Sequence, residues 1–236
     1  MYPCISNARE CMYHIIYTNM YVICTSIYND VLCTYMHLLL ISVSLPGICG
    51  TDATSLNEVI EKTAIDCMGP LAKFVGNVIC CPQFGSMMKI LQGTLSTYTG
   101  SLVLNKTESK ACFEEATGFL KDLGANDTLP ELCSIKADHL SGGLCPVLDV
   151  EQLERVVNKS DLLRACTSIN PLRECCKPVC GEAINAAAVE LASTELSSLE
   201  ENGSVAPREQ KVVDDCQGVV QSWLASQLGP EAANSA

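Results

Sequence analysis

The sequence contains 236 residues, which is enough for one large or two small domains with a buried core. Acidic residues outnumber basic ones by 27 to 15, and the resulting net charge of −12 argues against a nucleic acid or an anionic membrane surface as a partner. Aromatic residues make up only 5%, with one Trp and three His, and there is no glycine-rich phosphate loop. The composition therefore disfavours most classes of enzyme, and we expect no metal and no cofactor.

Residues 1–48 form an atypical apolar leader that differs in character from the rest of the chain. Beyond its first eleven residues, Asp30 carries the only formal charge. The most apolar run, Leu38–Leu45, precedes a Pro-Gly turn, which is typical of the hydrophobic region of a secretory signal peptide rather than of a membrane span. The usual basic region is missing. The alternative is therefore that residues 1–35 come from an incorrect gene model and that translation starts nearer Met36; in either case we expect the leader to lie outside the fold.

The first half of the remaining chain has the apolar spacing of amphipathic helices. Ser55 and Glu58 predict a capping box in front of a helix that places Cys67 on its buried face. Pro70 is typical of a first helical turn, and Gly124 of the position just after a helix end. We predict helices at about residues 55–67, 70–81, 84–91 and 107–123. Between the last two of these helices, residues 94–105 predict a loop or a short extended segment.

The second half continues the helical pattern and contains no convincing alternation of apolar and polar residues. Thr128, Asp149 and Ser160 are the predicted N-caps of three helices, and Asn170-Pro171 predicts the start of a fourth. We predict helices at about residues 128–133, 149–157, 160–166 and 170–192. The predicted fold class is therefore all-α, a disulfide-cross-linked helical domain without a substantial sheet.

The predicted organisation has four parts along the chain. The leader, 1–48, precedes a Cys-rich helical domain at 49–192. Residues 193–211 are polar and acidic, which predicts a mobile linker. A terminal helix follows at 212–230, and Cys216 is predicted to tie it to the helical domain.

Cysteine is several times more frequent than usual, with 16 residues in the chain. Four lie in the leader, and the other twelve form an even set that suits six disulfides in an oxidising compartment. Zinc sites usually have C-x2-C pairs or Cys and His at ligand spacing, and neither pattern occurs here. The twelve predicted disulfide cysteines are Cys49, Cys67, Cys80, Cys81, Cys112, Cys133, Cys145, Cys166, Cys175, Cys176, Cys180 and Cys216. Their pairing stays open because twelve cysteines allow about ten thousand connectivities.

The adjacent pairs Cys80-Cys81 and Cys175-Cys176 are the most informative cysteines. Neighbouring side chains on a helix lie about 100° apart, so each member of a pair can bond a different element. This arrangement suits a metal poorly and favours disulfides.

Four N-glycosylation sequons support the same oxidising compartment. Their acceptors are Asn105, Asn126, Asn158 and Asn202, and each lies where a loop or a helix start is predicted. At Asn126 and Asn158 the alternative is a purely structural role, since Thr128 and Ser160 of the same sequons also fit helix N-caps.

Candidate catalytic groups are sparse. His139 is the only histidine of the predicted fold, and no nucleophile motif completes a Ser-His-Asp arrangement with it and Asp138. Adjacent carboxylates such as Glu114-Glu115 point apart on a helix and indicate a solvated face. We therefore predict no enzyme activity.

Four sequence blocks are registered on cysteines: NVICCPQ at 77–83, GANDTLPELCSI at 124–135, ECCKPVC at 174–180, and VDDC through WLAS at 213–226. Together they resemble the plant uncharacterised GPI-anchored protein family with a SPARK domain. The resemblance covers about residues 49–230 and all twelve cysteines. It implies a secreted, N-glycosylated ectodomain at the outer face of the plasma membrane. Related domains outside some plant receptor-like kinases imply the binding of a protein partner or ligand.

The C-terminal sequence GPEAANSA has small residues but neither the spacer nor the hydrophobic tail of a GPI signal. We therefore expect a truncated member that is released, whereas full-length members reach the membrane through a GPI anchor. The predicted function is that of a non-enzymatic extracellular glycoprotein domain that binds an unknown cell-surface protein or ligand. The alternative is a small helical lipid carrier, because Cys-rich helical proteins with a Cys-Cys pair can enclose an apolar cavity, which Met87-Met88 would line.

Overall fold

The computed structural model describes residues 49–51, 56–69, 72, 76–167, 178–196 and 206–235. Nine α-helices lie within these residues, together with a π-helical turn at Gly76–Cys80 and a 3-10 helix at Ala137–Leu140. The α-helices are α1 (Asn57–Asp66), α2 (Cys81–Thr99), α3 (Lys106–Asp122), α4 (Leu129–Cys133), α5 (Val150–Val156), α6 (Lys159–Cys166), α7 (Val179–Leu196), α8 (Ala206–Leu228) and α9 (Pro230–Ser235).

The all-α prediction is confirmed. The β-pairing in the described residues is confined to two isolated bridges, Met68 with Ala125 and Ser101 with Asp149. None of the helices described here is long and apolar enough to cross a bilayer. The leader, 1–48, and the predicted helix start at Asn170-Pro171 lie outside the described residues.

Helix α2 is longer than the sequence predicts, because the loop expected from residue 94 begins only at Gly100, which has a φ of 70°. The last turns are rich in Ser and Thr, whose side chains usually compete with helical backbone bonds. Here these hydroxyls donate to carbonyls of the preceding turn, as in Thr94 to Ile90 at 2.9 Å and Ser96 to Gly93 at 2.7 Å. The polar side chains are thereby satisfied within the helix, which continues to Thr99 although its last residues are exposed.

The predicted helix caps are partly wrong. Asp149 caps α5 as predicted, by accepting from the backbone N–H of Gln152. Helix α1 instead begins with Leu56 at its N-cap position and has no side-chain cap. Thr128 does not cap α4, because its hydroxyl donates to the Asn126 side chain at 2.7 Å.

The two helices that follow sequon asparagines use those residues as caps. The Asn105 side chain accepts from the second and third N–H groups of α3, and Glu108 completes a capping box. The Asn158 side chain, rather than Ser160, caps α6 by accepting from the N–H of Asp161. At α6 the observed cap therefore lies two residues before the predicted Ser160, because the asparagine oxygen fits the position just before the first turn.

The ends of the predicted linker, 193–211, are helical. Helix α7 continues to Leu196, and α8 begins at Ala206, so the terminal helix is longer than the predicted 212–230 on its N-terminal side. The rest of the linker lies outside the described residues. After Gly229, which has a φ of 78°, the chain forms the additional short helix α9.

The core consists of two hydrophobic clusters. The first is built mainly by α1, α2 and α3, and the second by α5, α6, α7 and α8. Helix α8 makes extensive contacts with both α2 and α7, and thereby joins the two clusters. Trp223 of α8 is fully buried, and its indole N–H donates to Glu154 of α5 at 3.3 Å.

Candidate functional site

Ten of the twelve predicted disulfide cysteines are paired in the structure. The pairs are Cys49–Cys112, Cys67–Cys80, Cys81–Cys133, Cys145–Cys216 and Cys166–Cys180. The remaining two, Cys175 and Cys176, lie outside the described residues. The adjacent Cys80 and Cys81 bond to different elements, one just beyond α1 and one at the end of α4.

The sulfur atoms of Cys80, Cys81 and Cys133 lie within 4.8 Å of one another, which is a spacing that a metal ion could bridge. Zinc, however, is bound by thiolates. All three sulfurs are already in disulfides, so in this state they do not form a metal site.

The predicted glycosylation acceptors have different environments. Asn105 and Asn158 are exposed at the N-termini of α3 and α6. Asn126 is only 7% exposed, and its amide nitrogen donates to the carbonyl of Gly69 at 3.4 Å. Asn202 lies outside the described residues.

His139 lies in the 3-10 helix and is exposed. Its Nδ1 atom accepts from the backbone N–H of Lys136 at 3.2 Å, so the ring is not oriented by a carboxylate through Nδ1 as in a catalytic triad. Desolvation of the ring lowers its pKa, and the positive charge of Lys89 lowers it further. We find no nucleophile within hydrogen-bond reach of His139 in the described residues.

A cavity of about 110 Å³ adjoins this histidine and forms the candidate binding site. Helix α2 contributes Gly85, Met88 and Lys89, which share a face because they lie at positions i, i+3 and i+4. The ring of Phe113 from α3 faces them and packs on Phe84, with 6.1 Å between the ring centroids. The 3-10 helix and the two residues that precede it complete the lining with Ile135, Lys136, His139 and Leu140. We refer to this cavity as the Phe113 cavity.

A buried polar network holds the 3-10 helix against α2. The Gln92 amide donates to the carbonyl of Leu140 at 2.7 Å, and Lys89 Nζ donates to the carbonyl of His139 at 3.0 Å. Gln92 in turn accepts from the hydroxyl of Ser222 in α8 at 3.0 Å. Together with the Cys81–Cys133 disulfide, these bonds fix the walls of the cavity. The cavity is therefore preformed.

The ammonium group of Lys89 has an unusual environment. Burial lowers the pKa of Lys89 from 10.5 to about 8, and the nearby carboxylate of Asp215 in α8 partly opposes this shift. Gly218 makes room for the amine, since a Cβ at that position would lie 2.8 Å from Nζ. The Asp215 carboxylate accepts from the backbone N–H of Leu144 at 2.8 Å, which fixes its position.

Sequence reasoning missed the Phe113 cavity, and in particular the roles of Lys89 and Gln92. One signal was available, because Lys89 is the only charged residue in the 19 residues of α2. A single charge in an otherwise uncharged helix indicates a specific environment. The partners of that charge, however, come from α8 and the 3-10 helix, which are distant in sequence.

Comparison with known proteins identifies the family of this domain. The model of the SPARK family matches residues 44–217. An uncharacterized GPI-anchored protein of Arabidopsis thaliana is 34% identical over 186 residues, which cover 79% of this chain and 41% of the relative. The chain thus spans less than half the length of that relative, and no solved structure matches it. Since the family model covers well over half of the chain and includes the cavity and all five described disulfides, this protein belongs to the SPARK family.

Proposed function

We propose that this chain is a non-enzymatic extracellular domain that acts at the outer face of the plasma membrane and binds a protein partner through the Phe113 cavity. The compartment is supported by the disulfides, which persist in oxidising environments, and by the name of the Arabidopsis relative, a GPI-anchored protein. The exposed sequons at Asn105 and Asn158 agree with passage through the secretory route.

The observation that carries the binding function is the preformed apolar cavity between α2, α3 and the 3-10 helix. Pockets for free small molecules usually enclose about 300–1,000 Å³. The Phe113 cavity has about 110 Å³, which favours a single side chain of a larger partner. The same size disfavours this cavity as the binding site of the alternative, a lipid carrier.

The predicted extracellular location is tested with the full chain expressed in plant cells and purified from the extracellular fluid. Thiol labelling under denaturing, non-reducing conditions followed by intact-mass measurement counts the protected cysteines. We expect the ten cysteines paired here to be protected. A folded protein that stays inside the cell with labelled cysteines would contradict the extracellular assignment.

The binding function is tested by adding the purified, fluorescently labelled chain to intact plant cells and measuring saturable binding. In the variant Gly85→Ala, the new methyl group lies 3.7 Å from Cδ1 of Ile135, an ordinary contact that narrows the cavity without a clash. The matched control is Gly118→Ala in α3, an exposed helical glycine with no neighbour within 4 Å of its added Cβ. Both substitutions favour the helix by about 1 kcal/mol, so loss of fold does not explain a difference between them.

We expect Gly85→Ala to weaken cell-surface binding about fivefold or more and Gly118→Ala to leave it unchanged. Equal binding of both variants and the wild type would show that the cavity does not contribute to cell-surface binding. The absence of saturable binding would count against a binding domain altogether.

A further inference from the structure

We infer that the two disulfides at the start of α2 exchange partners when the outer one is reduced. A dithiol from outside the protein reduces Cys81–Cys133, and the freed thiolate of Cys133 then attacks the sulfur of Cys80. The buried Cys67–Cys80 bond breaks in this step. The product contains a Cys80–Cys133 disulfide and two thiols, at Cys67 and Cys81. This redox switch does not rest on the proposed binding function.

The two disulfides differ in their accessibility to a reductant. Cys67 and Cys80 are both 0% exposed, whereas Cys81 and Cys133 are each partly exposed. Each of the other four disulfides of the described residues has at least one buried cysteine. Access to the sulfur controls the rate of exchange with an external thiol. A reductant therefore reacts first with Cys81–Cys133.

The outer disulfide lies close enough to the inner one for an exchange. The Sγ atoms of Cys80, Cys81 and Cys133 lie within 4.8 Å of one another. Cys80 ends the π-helical turn and Cys81 begins α2, so their side chains leave the helix in directions about 100° apart. This difference places one disulfide in the core and the other at the surface. After reduction, rotation of the Cys133 side chain between rotamers brings its sulfur to Cys80.

Cys133, rather than Cys81, is the thiol that attacks Cys80. A bond between Cys80 and Cys81 would join adjacent residues across a trans peptide. The Cα atoms of such residues are about 3.8 Å apart, which is below the range of about 4.4–6.8 Å that disulfides usually span. Cys133 has no such restriction, because it comes from α4.

The two steps balance in atoms and electrons. The dithiol gives two electrons to Cys81–Cys133 and becomes a disulfide. In the second step the thiolate of Cys133 forms a bond to Cys80, and Cys67 leaves with the electron pair of the broken bond and takes up a proton. The Cys67 sulfur lies 3.3 Å from the carbonyl oxygen of Cys80, which accepts from the new thiol. The apolar core disfavours a thiolate at Cys67 and so slows the return step.

The exchange changes which helices are cross-linked. Cys67 follows directly after α1, which therefore loses its covalent bond to the start of α2. Helix α4, which ends at Cys133, stays attached through Cys80. It already packs on the π-helical turn, since a Cβ at Gly76 would lie 3.2 Å from Cδ2 of Leu132. A reductant thus loosens α1 without reaching the core itself.

The test uses the full chain purified from plant extracellular fluid and dithiothreitol as the dithiol. The native protein is incubated at mildly alkaline pH with the lowest dithiothreitol concentration that releases thiols. Acid then stops the exchange, and N-ethylmaleimide labels every thiol in denaturant. Trypsin places Cys67, the Cys80-Cys81 pair and Cys133 in separate peptides, 63–73, 74–89 and 122–136. Mass spectrometry of the non-reduced digest locates the label and the disulfide.

We expect the label on Cys67 and Cys81, while peptide 122–136 stays linked to peptide 74–89. The label on Cys67 should exceed that on Cys133. A label on Cys133 that equals or exceeds that on Cys67 would overturn the exchange, because the outer disulfide would then open without a second step. First thiols from any other described disulfide would overturn it as well.

Two matched variants separate the exchange step from the reduction. Cys81→Ser and Cys133→Ser each lack the outer disulfide and leave one thiol beside Cys80, so a loss of stability common to both does not explain a difference. Without any reductant, we expect the thiol of Cys81→Ser on Cys67 and the thiol of Cys133→Ser on Cys81. A thiol that stays on Cys133 in the first variant, or one on Cys67 in the second, would contradict the inference. If Cys81→Ser is not secreted, the limited reduction of the wild type decides.

Discussion

Asn126 is a predicted glycan acceptor, but in the folded protein its side chain is buried and hydrogen-bonded. Its sequon predicts a glycan on the side-chain nitrogen, yet this nitrogen donates to Gly69 in a buried setting. Its oxygen accepts from both the backbone N–H and the hydroxyl of Thr128, at 2.9 and 2.7 Å. A glycan on this nitrogen replaces one of its two hydrogens and needs space that a side chain only 7% exposed does not have.

We therefore predict that Asn126 is unmodified in the secreted, folded protein, whereas the exposed Asn105 and Asn158 are the modified sites among the described acceptors. Glycopeptide mass spectrometry of the secreted chain checks this directly. We also expect Asn126→Ala to lower the free energy of unfolding by about 1–3 kcal/mol, because buried polar groups lose their partner. A glycan found on Asn126 of folded protein would contradict the described packing around this residue.

Lys89 provides a second prediction at the scale of one residue. Its pKa in the folded protein is about 8, against 10.5 for an ordinary lysine. Because the folded pKa is the lower one, the protonated amine opposes folding at neutral pH, and this cost disappears as the pH rises through the range between the two values. A titration of the 13Cε signal of Lys89 by NMR should therefore have its midpoint near 8.

The variant Asp215→Asn tests the cause of this shift. The carboxylate of Asp215 raises the pKa of Lys89 against the effect of burial, so its removal should move the midpoint further down. An asparagine oxygen still accepts from the N–H of Leu144, which preserves the loop. A midpoint near 10.5 in the wild type would show that Lys89 is solvated, and a midpoint that rises in the variant would show that Asp215 does not stabilise the protonated amine.

At the scale of elements, the contact between α2 and α8 depends on Gly93. A Cβ at this position would lie 2.5 Å from the carbonyl oxygen of Ser222, 2.7 Å from Cβ of Ala225 and 2.8 Å from the N of Ser226. Two of these atoms belong to the backbone and cannot move without shifting the helix. Gly93 therefore allows the two helices to approach closely, and it lies next to Gln92, which bonds to Ser222.

We predict that Gly93→Ala lowers the free energy of unfolding by about 2–3 kcal/mol, despite the better helix propensity of alanine, because the overpacked helices must separate. Urea unfolding of the disulfide-intact protein measures the change. Gly118→Ala is again the control, and it should be neutral or stabilising by up to about 1 kcal/mol. Equal stabilities of the two variants would mean that α2 and α8 are less closely packed than described.

These elements also show how far the sequence predicts the fold. Apolar spacing predicted α1, α3, α5 and α8 because each has one buried face. The predicted end of α2 was wrong because its Ser and Thr residues resemble a loop, whereas their hydroxyls bond to carbonyls of the preceding turn within the helix. Asn126 shows a different limit, since its bond to Gly69 joins segments that are distant along the chain.

The candidate site was less predictable than the helices. The spacing of Gly85, Met88 and Lys89 places them on one face, but nothing local indicates that Phe113 and the 3-10 helix stand opposite. The pairing of the cysteines could not be predicted for the same reason. A sequence supplies the number of sulfurs, whereas the pairing depends on which helix ends meet in space.

At the scale of the whole molecule, the described disulfides strengthen each hydrophobic cluster separately. Cys49–Cys112, Cys67–Cys80 and Cys81–Cys133 lie in or against the cluster of α1–α3, and Cys145–Cys216 and Cys166–Cys180 lie in the cluster of α5–α8. No disulfide among the described residues joins one cluster to the other. The junction therefore depends on noncovalent packing of α8 against α2, the contact in which Gly93 lies.

The second cluster allows a matched comparison of two disulfides, because their four cysteines are all at most 4% exposed. Cys145 and Cys216 are 71 residues apart, whereas Cys166 and Cys180 are 14 apart and lie inside that loop. Closing the inner loop shortens the outer one to about 58 residues in the unfolded chain, and the entropy of loop closure then differs by about 1 kcal/mol.

We therefore predict that Cys145→Ala with Cys216→Ala destabilises the protein by about 1 kcal/mol more than Cys166→Ala with Cys180→Ala. Both double variants lose similar buried volume, so the difference isolates the loop length. Urea unfolding under non-reducing conditions, with intact mass confirming the remaining disulfides, gives the two free energies. If the short-loop variant were the less stable one, the stabilisation would come from native packing around Cys166 and Cys180 rather than from restriction of the unfolded chain.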